Sequence, residues 1–338
     1  MNNKKLIVGF ILIGGFLFVS TANASILNFT GWEAGDNTEV TTVSGTFSVQ
    51  ATTTRTGNYA LRTNPVTTAT GFHRFRQGDG GLTNYNAATV YHGFYFQYAT
   101  KPTTNDEPIF SSLTAGNVMK FELRINSSGN LGAYNASSTS MATGTTVLSS
   151  DTWYLIEIKT GSGTSTGAWE VKINGTSEMS GTGNLLINNN GTAQVGKTAN
   201  RNGNTVDFYF DDLVINDADY QGAGQVFRMD PDGNGTYTGW ASGTAAADYL
   251  EVDEVPHDVN TTYISSATNT EAETVTLEGG TAAGLVGTPL SVKSVAVIRD
   301  EDGASAIQVR LRSGTTDNDT ISYDPGLTYR GRGKMYNT

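Results

Sequence analysis

The chain has no cysteine, so no disulfide can form and no thiolate is there to bind a metal or attack a substrate. Proline is scarce, at 7 of 338 residues, which argues against a proline-rich linker. Histidine is scarcer: His73, His92 and His257 lie far apart, without the HExxH spacing of a catalytic zinc site. Basic residues number 21 against 32 acidic ones, a formal net charge of −11. Nucleic acid is therefore a poor partner, because phosphate binding needs a basic face. No segment shows the 3.6-residue apolar period of an amphipathic helix.

Long apolar runs are missing too. The longest, Leu6 to Val19, falls short of the roughly 20 residues of a membrane-spanning helix. Lys4 and Lys5 precede it and Ala22-Asn23-Ala24 follows it. Residues 1–24 therefore read as a secretory signal peptide cleaved before Ser25, and the mature chain as secreted, with no stable membrane span.

What fills the composition is Gly, 40 in number, with Thr, Ser and Asn, a mixture suited to short strands and many turns. From residue 25 to about 220, period-two strands alternate with turn residues, the spacing of a sandwich or jelly roll. In MKFELRI (119–125) the residues Met119, Phe121, Leu123 and Ile125 share one face and Lys120, Glu122 and Arg124 the other, and NSSGN (126–130) turns the chain back. VYHGFYFQYA (90–99) and TVDFYFDDLVI (205–215) are apolar on both faces, as central strands covered on two sides would be. His92 alternates with Phe94 and Phe96, which predicts a hydrogen-bonded histidine on a packed strand.

QGAGQ (221–225) breaks the pattern and reads as a linker to a second domain, 226–338. There SVKSVAVIRDEDGASAIQVRLRS (291–313) reads as one long hairpin with Asp302-Gly303 in its turn. DPDGNGTYTGW (230–240) places Asp230, Asp232 and Asn234 at the first, third and fifth positions of a calcium loop. The twelfth position is Ala241 where a bidentate Glu is required, so the loop is excluded.

GWEAGDNTEV (31–40), TWYLIEIKT (152–160), WEVKING (169–175) and FYFDDLVIND (208–217), in that order, resemble the strands of laminin-G-like, concanavalin-A-like jelly rolls. That resemblance implies an extracellular two-sheet sandwich over residues 25–220 that binds glycans or proteins. It also implies a structural calcium tying the first strand to the last, for which the candidate ligands are Glu33 and Asp36 with Asp211 and Asp212. GTYTGWASGTAAADYLEVDEVPHDVNTTYISS (235–266) resembles a module that follows such jelly rolls in bacteriophage tail and virion proteins. Members of that module continue into another strand, so the resemblance implies a domain longer than this sequence.

Laminarinase-type glucanases share the jelly roll and carry three carboxylates on one strand, E-x-D-x-x-E or E-x-D-x-E. Glu251 and Asp253 match the first two positions; Glu254 falls on the opposite face. For ligand binding, FHRFRQGDG (72–80) offers Phe72, Arg74, Phe75 and Arg76, rings and guanidinium groups from which a sugar platform can be built. The sequence reading is thus an all-β chain, a concanavalin-A-like jelly-roll sandwich plus a smaller antiparallel β-sandwich. It is a non-catalytic structural or adhesion protein, secreted or virion-associated, with a glycan or a cell-surface or virion protein as partner. A divergent glucanase is the alternative.

Overall fold

The computed structural model describes residues 6–16, 26–40, 42–76, 86–244, 247–258, 260–268, 271–285, 289–301, 306–313, 316–319, 322, 324 and 326–337. The described residues are strands, turns and one four-residue 3-10 turn, Asp248–Glu251. The all-β expectation holds, with every described strand pairing antiparallel.

Two sheets face each other in a jelly-roll sandwich. In one, seven strands run in the spatial order Ser140–Thr143, Leu131–Asn135, Met119–Asn126, Asp106–Leu113, Thr192–Lys197, Gly71–Arg76 and Thr42–Gly45. The other has eight, centred on Val90–Thr100 and Asp207–Asn216, which lie side by side. Period-two alternation sends Phe94, Phe96, Phe208 and Phe210 inward from the eight-stranded sheet to meet Phe110, Phe121, Leu123 and Val195 from the other. Phe94 stacks on Phe110 across the gap with ring centroids 5.7 Å apart, and Phe121 meets Trp169 at 6.1 Å. Each buried aromatic side chain contributes roughly 1.5–3 kcal/mol, so this cluster is the main adhesive of the sandwich. His92 sits in it, 1% exposed and 4.8 Å from the Phe110 ring, and burial lowers its pKa to about 3. It is the packed-strand histidine the alternation predicts.

The 126–130 turn forms where NSSGN sits. Asn126 Oδ1 accepts from the amides of Ser128 and Asn130, at 2.9 and 3.0 Å, and Gly129 takes the positive φ, 93°, that closes it. The solvent face expected for Met119–Asn126 is a different matter. Lys120, Glu122 and Arg124 are 0%, 1% and 7% exposed: Lys120 donates to Ser162 Oγ at 2.8 Å and to the Asn188 carbonyl, and residues 197–204 fold back over Glu122 and Arg124. Glu107 holds them there, accepting from the amides of Arg201 (3.1 Å), Asn202 (3.2 Å) and Asn204 (2.9 Å). Lys197, also fully buried, lies 3.6 Å from the same carboxylate.

Six further strands build a second body, a six-stranded sheet, and four more form two separate pairs. Leu6–Phe16 runs through the middle of the sheet, pairing with Ser291–Asp300 on one side and with Ile264–Ser266 and Val226–Met229 on the other. Ser291–Asp300 pairs on its far edge with Arg330–Asn337, and Arg310–Ser313 pairs with Thr316–Asp319. The long hairpin expected over 291–313 is therefore corrected: a single alternating pattern leaves the partner open, and two other strands provide it. A shared core fastens this sheet to the sandwich, with Ile26, Phe29 and Val214 packed against Val226, Val295, Val297 and Met335. Lys293 reinforces it, donating to the Phe29 carbonyl (2.6 Å) and to Glu39, and both members of that ion pair are 1% exposed. The run 221–225 is anchored as well: the amide of Gly222 donates to Glu157 at 2.9 Å.

Candidate functional site

The residues flagged as a sugar platform divide between two faces of the strand Gly71–Arg76. Phe75 is 2% exposed and lies in the core, its ring 6.4 Å from Trp32. Phe72 and Arg74 are on the other face, the guanidinium 5.3 Å above the Phe72 ring. With its amide oxygen toward Arg74, Gln194 accepts from Nη2 and Nε at 2.6 and 2.7 Å. The side chain of Arg76 lies outside the described ones. Phe72 and Phe75 are three residues apart, so strand geometry opposes them and the four residues do not form one platform.

The same outer face of the seven-stranded sheet continues past Gln194 to a cleft of about 570 Å³. Asn105, Asp106, Arg124, Asn126, Tyr134 and Arg201 are among the residues that line it. Arg124 lies along the Tyr134 ring at 3.7 Å, and its Nε donates to Glu122 at 2.6 Å. Arg201 reaches Glu122 from the other side through Nε and Nη2, both at 3.1 Å. Asp106 accepts from the Tyr134 hydroxyl and from Asn202 Nδ2 (2.9 Å). Burial, then Asp106, pushes the Tyr134 phenol up to about 12. Alternation alone places Tyr134 beside Glu122 across the strand pair; recruitment of Arg201 by a distant loop could not be read from the local pattern.

Of the four predicted metal ligands, three gather. A bulge at Asp211–Val214, with Asp212 at φ 50°, turns two successive carboxylates toward the loop 55–59. Asp211 accepts from the amides of Arg55 (2.8 Å) and Thr56 (3.2 Å). Asp212 accepts from the Arg55 guanidinium, the Thr56 hydroxyl and the amide of Val226, at 2.7–2.8 Å. Glu33 takes the amides of Asn58 (2.9 Å) and Tyr59 (3.3 Å). Gly57 makes that approach possible, since a Cβ there would lie 2.2 Å from Glu33 Oε1. Asp36 does not join them: it caps its own turn at Thr38 (2.8 Å) and faces His257 at 3.3 Å. Burial pushes Glu33 up to about 8. Asp211 and Asp212 are also raised, first by burial and, for Asp211, next by its neighbour's charge. A calcium ion takes six to eight oxygen ligands. Here it would have to displace the N–H and guanidinium donors already on these oxygens.

The carboxylates flagged as glucanase-like lie away from the sandwich sheets. Glu251 ends the 3-10 turn and is fully buried. It accepts from the Ser242 hydroxyl (2.9 Å) and from the amides of Thr244 (2.6 Å) and Tyr263 (3.0 Å). Asp253 and Glu254 follow in loop, not on a strand, so the one-face geometry that pairs a nucleophile with an acid is not formed. The residues of the excluded calcium loop likewise disperse: Asp230 pairs with Arg228, Asp232 accepts from Thr276, and Asn234 accepts from the amide of Tyr249.

No protein-family model and no curated protein matches the sequence. Among solved structures the fold is similar to the cellulose induced protein Cip1, at 16% identity and a TM-score of 0.46 over 58% of this chain and 100% of that one. It is similar to domain 4 of AbnA, a GH43 extracellular arabinanase from Geobacillus stearothermophilus solved with arabinotriose, at 15% identity and a TM-score of 0.40 over 57% and 93% of the two chains. It is also similar to a conserved carbohydrate esterase from the Shiga toxin-encoding bacteriophage phi24B, at 11% identity and a TM-score of 0.40 over 58% and 100%. These likenesses extend over little more than half of the chain.

Proposed function

We propose that the chain is an exported, non-catalytic glycan-binding protein serving adhesion or assembly, and that the outer face of its seven-stranded sheet is the recognition surface. The observation that carries this reading is the cleft of about 570 Å³ between that sheet and the loop at 201–202. Its size falls within the roughly 300–1,000 Å³ of small-ligand sites. Amides, hydroxyls, a carboxylate, two guanidinium groups and a tyrosine line it, which suits a molecule covered in hydroxyl groups. The strands beneath are closely packed and hold these groups in place. A second cavity of about 400 Å³, beside Thr114, Val118 and Leu186, has no charged lining residue and offers less to a polar ligand.

Binding without turnover is favoured because Glu251 is committed to the backbone and side-chain donors around it. The test is a polysaccharide pull-down scored together with reducing-end release. Retention on a polysaccharide with no new reducing ends agrees with the proposal. Release that disappears in Glu251→Gln would replace it with a glucanase, and a glycan array blank in every class would leave the sandwich purely architectural.

A further inference from the structure

We propose that this cleft binds an uncharged sugar ring through two adjacent hydroxyl groups, with Arg124 donating to one and Asp106 accepting from the other. The proposal rests on the glycan-binding reading above and names the class of sugar.

Arg124 is 7% exposed, yet it is incompletely satisfied. Its Nε is held by Glu122 and its Nη1 lies 3.6 Å from Asp106, while Nη2, buried among the lining residues, has no acceptor. A buried donor left without a partner bears the full desolvation penalty of a polar group, and a ligand oxygen that meets Nη2 as the guanidinium turns into the cleft relieves it. Asp106 stands on the other side of Nη1. Its contacts with Tyr134 and Asn202 leave part of its acceptor capacity open, since an ionised carboxylate offers about four lone-pair positions. A guanidinium nitrogen that lacks an acceptor, beside a carboxylate with capacity to spare, matches two neighbouring hydroxyls on one ring: one presents oxygen, the other a proton.

Charge decides between a neutral and an acidic sugar. Arg124 and Arg201 are balanced by Asp106 and Glu122, and Lys197 beneath them by Glu107. Within this set there is no surplus positive charge, Lys101 at the edge being engaged by the Ser127 carbonyl, and the whole chain carries a net −11. A uronate or sulfate placed at Nη2 would sit close to two carboxylates and meet their repulsion, whereas a hydroxyl meets none.

The test is calorimetric titration of the full chain with neutral cello-, xylo- and arabino-oligosaccharides, and with oligouronates of equal length. Two variants accompany it. Arg124→Lys removes Nη2, and Ser128→Trp fills the cleft from an exposed turn position, so that the test stands even where Arg124→Lys does not fold. The expected result is binding of at least one neutral series, no measurable binding of oligouronates, and a loss of tenfold or more in each folded variant. Oligouronates binding as tightly as neutral sugars, or Ser128→Trp binding unchanged, would overturn the assignment while leaving glycan binding in place. Failure of both series to bind would overturn this proposal and the broader one together.

Discussion

Trp32 Nε1 donates to His73 Nδ1 at 3.0 Å, and neither side chain is exposed. The bond ties the segment after the first sandwich strand to the heart of the seven-stranded sheet. It requires a neutral ring with a free Nδ1 lone pair, and burial supplies one by lowering the His73 pKa to about 3. Trp32→Phe keeps an aromatic ring but leaves that lone pair without a donor. The expected cost is about 2 kcal/mol or more, from the lost bond and the smaller ring together. Urea unfolding of the variant measures it, and a loss below about 0.5 kcal/mol, the level of an ordinary surface change, would mean that the bond is dispensable.

The buried histidines and the buried carboxylates respond to pH with opposite signs. His73 and His92 have folded-state pKa values near 3, below the usual 6.5, so their neutral burial favours folding above pH 6.5 and is lost as pH falls toward 3. Glu33 is raised from 4.5 to about 8, so its contribution is fully present below pH 4.5 and is lost as pH rises through 8. Between pH 6.5 and 8 the histidines are already neutral, and stability is expected to decline. The Glu33 share of that slope is at most about 1.4 kcal/mol per pH unit. Glu33→Gln flattens it. Chemical unfolding at half-unit intervals decides, and an unchanged slope in the variant would remove Glu33 from the account.

Calcium is expected to add nothing to this cluster. Arg55 already brings a positive charge to Asp212, and backbone amides occupy Asp211 and Glu33. Thermal melts of EDTA-treated protein with and without millimolar calcium should coincide. A rise in melting temperature that is lost in Asp211→Asn would show instead that the 55–59 loop yields its place to the ion.

The N-terminal segment is where the export proposal meets the six-stranded sheet. Residues 1–24 have the pattern of a cleaved export signal, while Leu6–Phe16 supplies the strand between Ser291–Asp300 and the pair Ile264–Ser266 and Val226–Met229. A chain beginning at Ser25 is therefore expected to keep the sandwich but to loosen the six-stranded sheet. The amides of residues 293–298 should then exchange at least tenfold faster than in the full chain, while those of residues 94–98 stay protected. Equal protection in both chains would mean that the sheet holds without this strand.

Composition and alternation were enough for the all-β class, the inward phenylalanines, the two doubly covered central strands, the buried His92 and the 126–130 turn. All of these follow from period-two geometry and local turn chemistry acting within a few residues. What the local pattern could not supply was the identity of distant partners. It opposes Lys120, Glu122 and Arg124 to a core face, but the burial of Glu122 and Arg124 depends on Glu107 drawing residues 201–204 across them, from about 95 positions away, and that of Lys120 on Ser162 and Asn188. The same limit explains why 291–300 pairs with segments from both ends of the chain. Alternation names the face on which a side chain stands. Only the closed sandwich decides what is laid over that face, because strand pairing and loop docking are settled by contacts between residues that sequence distance keeps apart.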